Sequence, residues 1–555
     1  MLLILGIVTH LQRHVMGELV GYKENSIGMA VVQRIVDMFS PEVQWSQRLW
    51  RPSAIDALKH CLDLIEGEAR EGAKAYAVKE ARKRIENDLF IPRKERGGIL
   101  KSLTLKPEKM IRGSVAEARL QCVCAELEDR YAGWVQQFVD ALDDTTDVKS
   151  STVDGSSLAW QIAAFLRSEG MSDKWIAKFH YYHLRFNPEP MSLSETIKQA
   201  RQVLSTGSGW TFFVPLKVRR SFNVQAPPLL SKREFELRFA EALPGVEVPK
   251  NRGGLEISVD TIDKYAAIDE VQFVMQRVID RHRASHSKRR LAFDSHAWVS
   301  PGAWDTELAV DVAPKVRVLE LDALGGGQMF GRASDELEAA LDLLTAADRT
   351  SSRAATIASW AVLETLFADE SDYGELAIVA DRAADVLTCL YVQSTFTDIA
   401  RGHSRAGKDS LAEQLRSCSG DAEAALLIEQ ALPSHPMSVN ATLGELARQR
   451  ATGMSPAEVE SVRSQLSAVL RRLYDMRNQV VHAGRMAPFG LDRTYEESTV
   501  LLSALMDELL RQHRIAKRST REVAGRASWL LERVSSERAT PASLAQIGDS
   551  RVRAG

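Results

Sequence analysis

Cysteine is scarce in this chain: five in 555 residues, at positions 61, 122, 124, 389 and 418. That is too few and too scattered for a disulfide framework. Cys122 and Cys124 stand one residue apart with no CxxC pair and no second half-site, so reduced thiols are expected rather than a zinc knuckle, and no metal or cofactor is expected. Long apolar runs are also lacking. The opening MLLILGIV is far too short to cross a bilayer and has no basic flank, so it reads as the first buried segment of a cytoplasmic protein with neither targeting signal nor membrane partner. Nor does either sign of charge dominate. With 71 basic and 74 acidic residues the net charge is -3, which excludes polyanion binding through a global field and leaves only local patches. The glycines of GGGQMFGR (325 to 332) are followed by no Lys-Ser/Thr, so they predict a connector and not a phosphate loop.

What is present is helix. The length allows three or four domains, and the text divides into a helical region over 1–150, an α+β middle and possible sensor over 157–324, a helical bundle over 335–515 and a basic tail over 516–555. Pro52 and Ser53 open one charged helix, and Ser114 with Glu117 has the spacing of a capping box for another. DDTTDVKSSTVDGSS then breaks the pattern as a polar linker. Gly170 ends a helix and Ser172 caps the next. WTFFVPLKV (210 to 218), GLEISVD (254 to 260) and VRVLELDAL (316 to 324) are short β-rich stretches that predict a modest sheet. The fold class is therefore mainly α and multidomain, with a small α+β middle section.

The most legible helix lies near the C-terminal end. Ser455, Pro456 and Glu458 supply an N-cap, a proline at the first helical position and a capping-box acid. Val459, Val462, Leu466, Val469, Leu473, Met476 and Val480 follow at spacings of three and four, which predicts one helix of roughly 28 residues stopped by Gly484, Pro488 and Gly490. Its last turns carry Arg477, Asn478 and His482. On a regular helix Arg477 and His482 lie roughly 140° apart, so they form one site only if the final turn loosens near Gly484 or a second chain contributes. An imidazole suits proton transfer at a 2'-hydroxyl or a leaving 5'-oxygen, and a guanidinium suits charge developing on phosphoryl oxygens. A solvated helix end, with cations complementing the dipole, is the plain alternative.

The stretch YDMRNQVVHAG, with an arginine, four further residues and a histidine after a long helix, resembles the motif of HEPN domains, and most closely the ApeA-like branch of bacterial defence proteins. The resemblance covers roughly residues 335 to 515. It implies a C-terminal HEPN-like bundle that forms a homodimer with a composite, metal-independent endoribonuclease site. His482 would be the acid/base, Arg477 the phosphate and transition-state ligand, and Asn478 an orienting group. It further implies cleavage of RNA (tRNA among the candidates), leaving a cyclic phosphate, in antiviral defence or as a toxin. Residues 1 to 330 would then sense a trigger, phage-derived or nucleic acid. In RAATIASWAVLETLF, Ile357, Trp360, Ala361 and Glu364 form a stripe interrupted by a carboxylate. Glu364 needs a partner if buried. The resemblance favours Arg477 and a place in the catalytic set, with water at the edge of the stripe as the alternative.

Two other features could touch nucleic acid. The run Arg277, Arg281, His282, Arg283, His286, Lys288, Arg289 and Arg290 could neutralise several phosphates without sequence preference, or be a solvated helix face. FHYYHLRF (179 to 186) offers aromatics for base stacking, with core packing as the favoured reading. His403 in RGHSRAGKDS reads as a surface histidine in a mobile loop. The competing functions are a non-catalytic HEPN-like module for dimerisation or nucleotide binding, and a DNA-binding regulator that uses the 277 to 290 run.

Overall fold

The computed structural model describes residues 26–39, 44–48, 51–186, 192–205, 209–217, 229–284, 292–301, 307–310, 316–322, 331–347, 352–369, 372, 377–438, 441–485 and 488–548. The opening apolar segment, His286, Lys288, Arg289, Arg290 and the 325 to 330 glycines lie outside these residues, as do the side chains of Arg283, His183 and Arg185.

The chain is mainly helical, with one five-stranded antiparallel sheet. In chain order the helices of the first part are α1 (Ile27–Phe39), α2 (Ala54–Glu66), α3 (Glu71–Glu86), α4 (Arg93–Ser102), α5 (Val115–Ala141), α6 (Gly155–Ser168), α7 (Asp173–Phe186) and α8 (Leu193–Ser205). The middle holds α9 (Lys232–Ala242) and α10 (Lys264–Ala284). The last part holds α11 (Asp335–Ala347), α12 (Ser352–Phe367), α13 (Ile378–Ala406), α14 (Ser410–Ser417), α15 (Asp421–Ala431), α16 (Ala441–Thr452), α17 (Pro456–Val481), α18 (Leu491–Ala516) and α19 (Thr520–Ser535).

Caps start these helices where local chemistry requires. Ser53 accepts from the Asp56 amide while Asp56 returns the bond, closing a capping box. Ser114 and Ser455 accept from the amides of Glu117 and Glu458 at the starts of α5 and α17.

The strands β1 (Gly209–Pro215), β2 (Leu229–Leu230), β3 (Gly254–Asp260), β4 (His296–Ser300) and β5 (Glu307–Ala309) pair in the order β2-β3-β1-β4-β5. Alternation sends Phe212, Val214, Ile257 and Val299 to one face, where α10 covers them with Ile268 and Val271. Phe213 and Trp298 point to the other face, against Phe235 and Phe239 of α9. Gly254 is required there, because a Cβ would sit 2.2 Å from the Phe235 ring.

Residues 316–322 are not a strand, contrary to the β-rich reading of VRVLELDAL. The Arg317 amide donates to Ser503 Oγ and the Glu320 amide to Asp507, so the segment lies along α18 and ends in a 3-10 turn over Leu319–Asp322. HAWVS, which the sequence reading passed over, supplies β4 instead.

The helices before and after the sheet share one apolar core. It runs without a break from Ile27 of α1 through Leu58, Tyr131 and Phe165 to Trp360, Leu466 and Leu505, and on to Ile547. A buried ionic link crosses the same seam: Arg167 of α6 donates to Glu497 of α18 at 2.8 Å and to both oxygens of Asp173 at 2.7 and 2.9 Å. Residues 517–548, within the stretch read as a basic tail, are packed on the bundle. They fold back as α19 and a 3-10 turn, with Leu530, Leu544 and Ile547 buried. Two of their basic residues are engaged internally: Arg526 donates to the Gln546 carbonyl and Arg518 to Gln512.

Candidate functional site

The seam residues Val459, Val462, Leu466, Val469, Leu473 and Met476 are all buried, which fixes the rotation of α17. Arg477 and Asn478 are therefore half-buried beside the seam, and His482 is exposed just past the last turn. There the helix changes geometry. The His482 amide still makes the regular bond to the Asn478 carbonyl at 2.8 Å, and the chain leaves the helix just after it, where the Arg485 amide reaches back six residues to the Gln479 carbonyl at 3.1 Å with Gly484 in the left-handed region (φ 63°).

Arg477 Nη1 donates to His482 Nε2 at 2.9 Å and to Asn478 Oδ1 at 3.0 Å. The angular objection is met by the reach of the arginine and by the position of His482 at the helix end, so the three residues form one cluster on a single chain. Guanidinium cannot accept, so His482 Nε2 is the acceptor and a neutral ring carries its proton on Nδ1.

A region absent from the sequence reading of the site holds this end in place. Arg485 donates to the Asp63 backbone carbonyl at 2.9 Å and to Glu66 at 2.9 Å, both on α2, and to Gln479 at 3.0 Å. The Phe489 amide donates to Asp63 Oδ1. Gly67, at the end of α2, lets the chains approach closely: a Cβ there would lie 3.2 Å from Gln479 Oε1. Arg485 follows the motif directly, but only the fold shows that its partners lie about 420 residues earlier in the chain.

Glu364 does not pair with Arg477. Its Oε1 accepts from the Trp360 indole N–H at 2.6 Å, and Trp360 packs on Tyr474 of α17 with ring centroids 4.8 Å apart. The expected stripe is displaced as well. Ile357 is exposed, and the buried face of α12 runs through Thr356, Ser359, Trp360 and Leu363, so Glu364 sits at a boundary where an indole suffices as partner.

The basic run is only partly described. Arg277 and Arg281 project from α10, which covers the sheet and has a core of its own, and Arg281 is exposed. No described hydrogen bond or ion pair joins either residue to the Arg477 cluster.

His403 is fully buried within α13, not on a loop. The Ser438 amide donates to its Nδ1 at 2.8 Å, which leaves the proton of a neutral ring on Nε2, 3.1 Å from Asp409 Oδ1. His435 Nε2 meets the other oxygen of Asp409 at 3.2 Å. His403, Asp409 and His435 bring their ligand atoms together in a metal-like cluster. To bind a cation through Nε2, however, His403 would have to lose the proton that its Nδ1 acceptor role fixes there, so the cluster is arranged for hydrogen bonding. Asp409 also caps α14 through the Ala412 amide.

That amide, with His435 and His403, holds the Asp409 carboxyl below the usual carboxylate range. A depressed folded-state value means a contribution present above about pH 4 and lost as pH falls through the folded value. The melting temperature of Asp409→Ala should accordingly lie below that of the wild type by a constant gap from pH 7 to about pH 4, and the gap should close only in stronger acid. A gap already closed at pH 5 would contradict the assignment.

No helix among the described residues is long and apolar enough to cross a membrane. Comparison of the chain with family models, with curated proteins and with solved structures finds no match.

Proposed function

We propose that this protein is a metal-independent endoribonuclease of HEPN type whose site is built on Arg477, Asn478 and His482. The observation that carries the reading is the 2.9 Å contact between Arg477 and His482, at the exposed end of a helix whose apolar seam is buried. Opposite roles require such a pair to be adjacent and open to a polymer.

In the resting arrangement the guanidinium occupies His482 Nε2. A phosphodiester arriving at Arg477 offers a stronger, charge-assisted acceptor and draws the N–H groups to itself, which releases Nε2. The imidazole then takes the proton of the 2'-hydroxyl as its oxygen attacks phosphorus, while the bond to the 5'-oxygen breaks and that oxygen is protonated. The products are a 2',3'-cyclic phosphate and a free 5'-hydroxyl, and Arg477 stabilises the charge on the non-bridging oxygens. Asn478 orients the guanidinium through Oδ1. A second copy of the chain would supply the second imidazole. Val481 and Phe489, apolar and 44% and 37% exposed beside His482, suit such a face.

The test is incubation of the full-length protein with total RNA and tRNA in EDTA, followed by analysis of the ends. Fragments with cyclic phosphate and 5'-hydroxyl termini are expected. Fragments with 5'-phosphate, or cleavage that stops in EDTA, would refute the proposed chemistry.

A further inference from the structure

A pocket opens at the seam between the first helices and the last, one turn of α17 before Arg477. Arg472 of α17, Arg493 of α18, Arg167 of α6 and Arg51 just ahead of α2 line it. Two carboxylates, Asp56 and Glu497, share the same wall. Both are already engaged: Glu497 with Arg167 at 2.8 Å and Arg472 at 3.4 Å, and Asp56 with Arg493 at 3.4 Å. Arg167 is held by both oxygens of Asp173 as well, so four guanidiniums face three carboxylates and basic groups stay in the majority at this concavity.

Three further features point the same way. The pocket includes Gly490, the N-cap of the 26-residue helix α18, which has no side-chain cap, so the first amides of a long helix lack that acceptor. Thr494, on the next turn, is 1% exposed and its hydroxyl has no hydrogen-bond partner. His60, 8% exposed and on the opposite wall, has Nδ1 without a partner, while its Nε2 faces Asp475 at 3.5 Å. Buried polar atoms left unsatisfied are costly and rare; the Thr494 hydroxyl can donate, and with the ring proton on Nε2 toward Asp475 the His60 Nδ1 accepts, so beside an uncapped helix start the two describe a site awaiting a polar group. The surplus charge is felt further back: burial, then the neighbouring Arg51, lowers Arg84 to about 10.

We propose that this pocket binds a phosphoryl group, held by Arg51, Arg472 and Arg493, by the start of α18 and by the Thr494 hydroxyl. A phosphoryl group accepts through several lone pairs from guanidiniums, helix amides and a hydroxyl, and in its monoanion also carries a P–O–H that can donate to the imidazole nitrogen. The site is distinct from the Arg477 cluster, and its occupancy is read by binding, so its fate does not depend on whether the protein cleaves RNA.

The experiment uses the full chain at fixed ionic strength. Melting temperature and calorimetric binding are measured with inorganic phosphate, with AMP, and with a 2'-O-methyl RNA hexamer bearing or lacking a 5'-phosphate. At least one phosphorylated ligand is expected to raise the melting temperature where equal chloride does not. Arg493→Gln and Thr494→Val should each weaken binding about tenfold or more, the loss expected for a charge-assisted contact of ~1.5 kcal/mol or more. Thr494→Val removes a buried hydroxyl that has no partner, so the ligand-free variant should melt at or above the wild-type temperature, which separates loss of ligand from loss of fold. Binding of phosphate or AMP identifies a free small molecule as the source; binding of the 5'-phosphorylated hexamer alone identifies an RNA end. The proposal is overturned if no phosphorylated ligand binds, or if Thr494→Val binds as tightly as the wild type.

Discussion

Under the proposed function, replacing His482 by alanine is expected to lower the rate of RNA cleavage by about 10²–10⁴-fold, the usual contribution of a positioned general acid or base. Arg477→Ala should cost about 10²–10³-fold, in line with the loss of one preorganised donor to developing charge. Neither change should disturb the fold. His482 is exposed, and Arg477 bonds only to its motif neighbours among the described residues, so the melting temperature should stay near that of the wild type. Arg477→Lys is the sharper variant. It keeps the charge but loses the planar, bidentate geometry that suits a phosphodiester, so it should remain severely impaired. Wild-type cleavage by His482→Ala would transfer the chemistry elsewhere and leave the cluster as a polar helix end.

The second large effect concerns stability. Arg167 joins Glu497 and Asp173 where the two helical parts meet, with its side chain 8% and that of Glu497 4% exposed. Burial alone raises the Glu497 carboxyl, and Arg167 is the main influence opposing that rise. Truncating Arg167 to alanine leaves Glu497 buried with only the longer contact to Arg472, and should cost about 3–5 kcal/mol, seen as a lowered urea midpoint. Substituting both partners, as Arg167→Met with Glu497→Leu, should recover part of that loss, because the most buried carboxylate is no longer stranded, while the more exposed Asp173 and Arg472 still lose a partner. The exposed pair Arg332–Asp335 is the control, and breaking it should cost about 1 kcal/mol or less. If Arg167→Ala moves the midpoint no further than Arg332→Ala does, the seam is not held by this link.

Short-range chemistry made much of this molecule readable in advance. Ser455 and Pro456 start α17 where the cap demands, and the seam from Val459 to Met476 is buried. In each case the cause lies within a few residues of the effect. The errors share the opposite property. VRVLELDAL has the composition of a strand, but α18 offers Ser503 and Asp507 to its amides, so it never joins the sheet. His403 looked exposed because its neighbours are polar; it is buried because Asp409 and the Ser438 amide satisfy both ring nitrogens. Glu364 looked poised for Arg477, and an indole one turn away on its own helix takes it instead. The motif itself was legible as residue types, while its closure depended on a helix end that Arg485 anchors to α2.

That anchor also limits how the protein can be built and regulated. A nuclease carried on a tether can be cut free, swapped between carriers or swung into place. Here the last turn of the motif helix is bolted to residues near the beginning of the chain, and the packing on both sides of the bolt is common property. A change of fit among the first helices is therefore passed directly to the turn that carries His482, through the clasp formed by Asp63, Glu66 and Arg485.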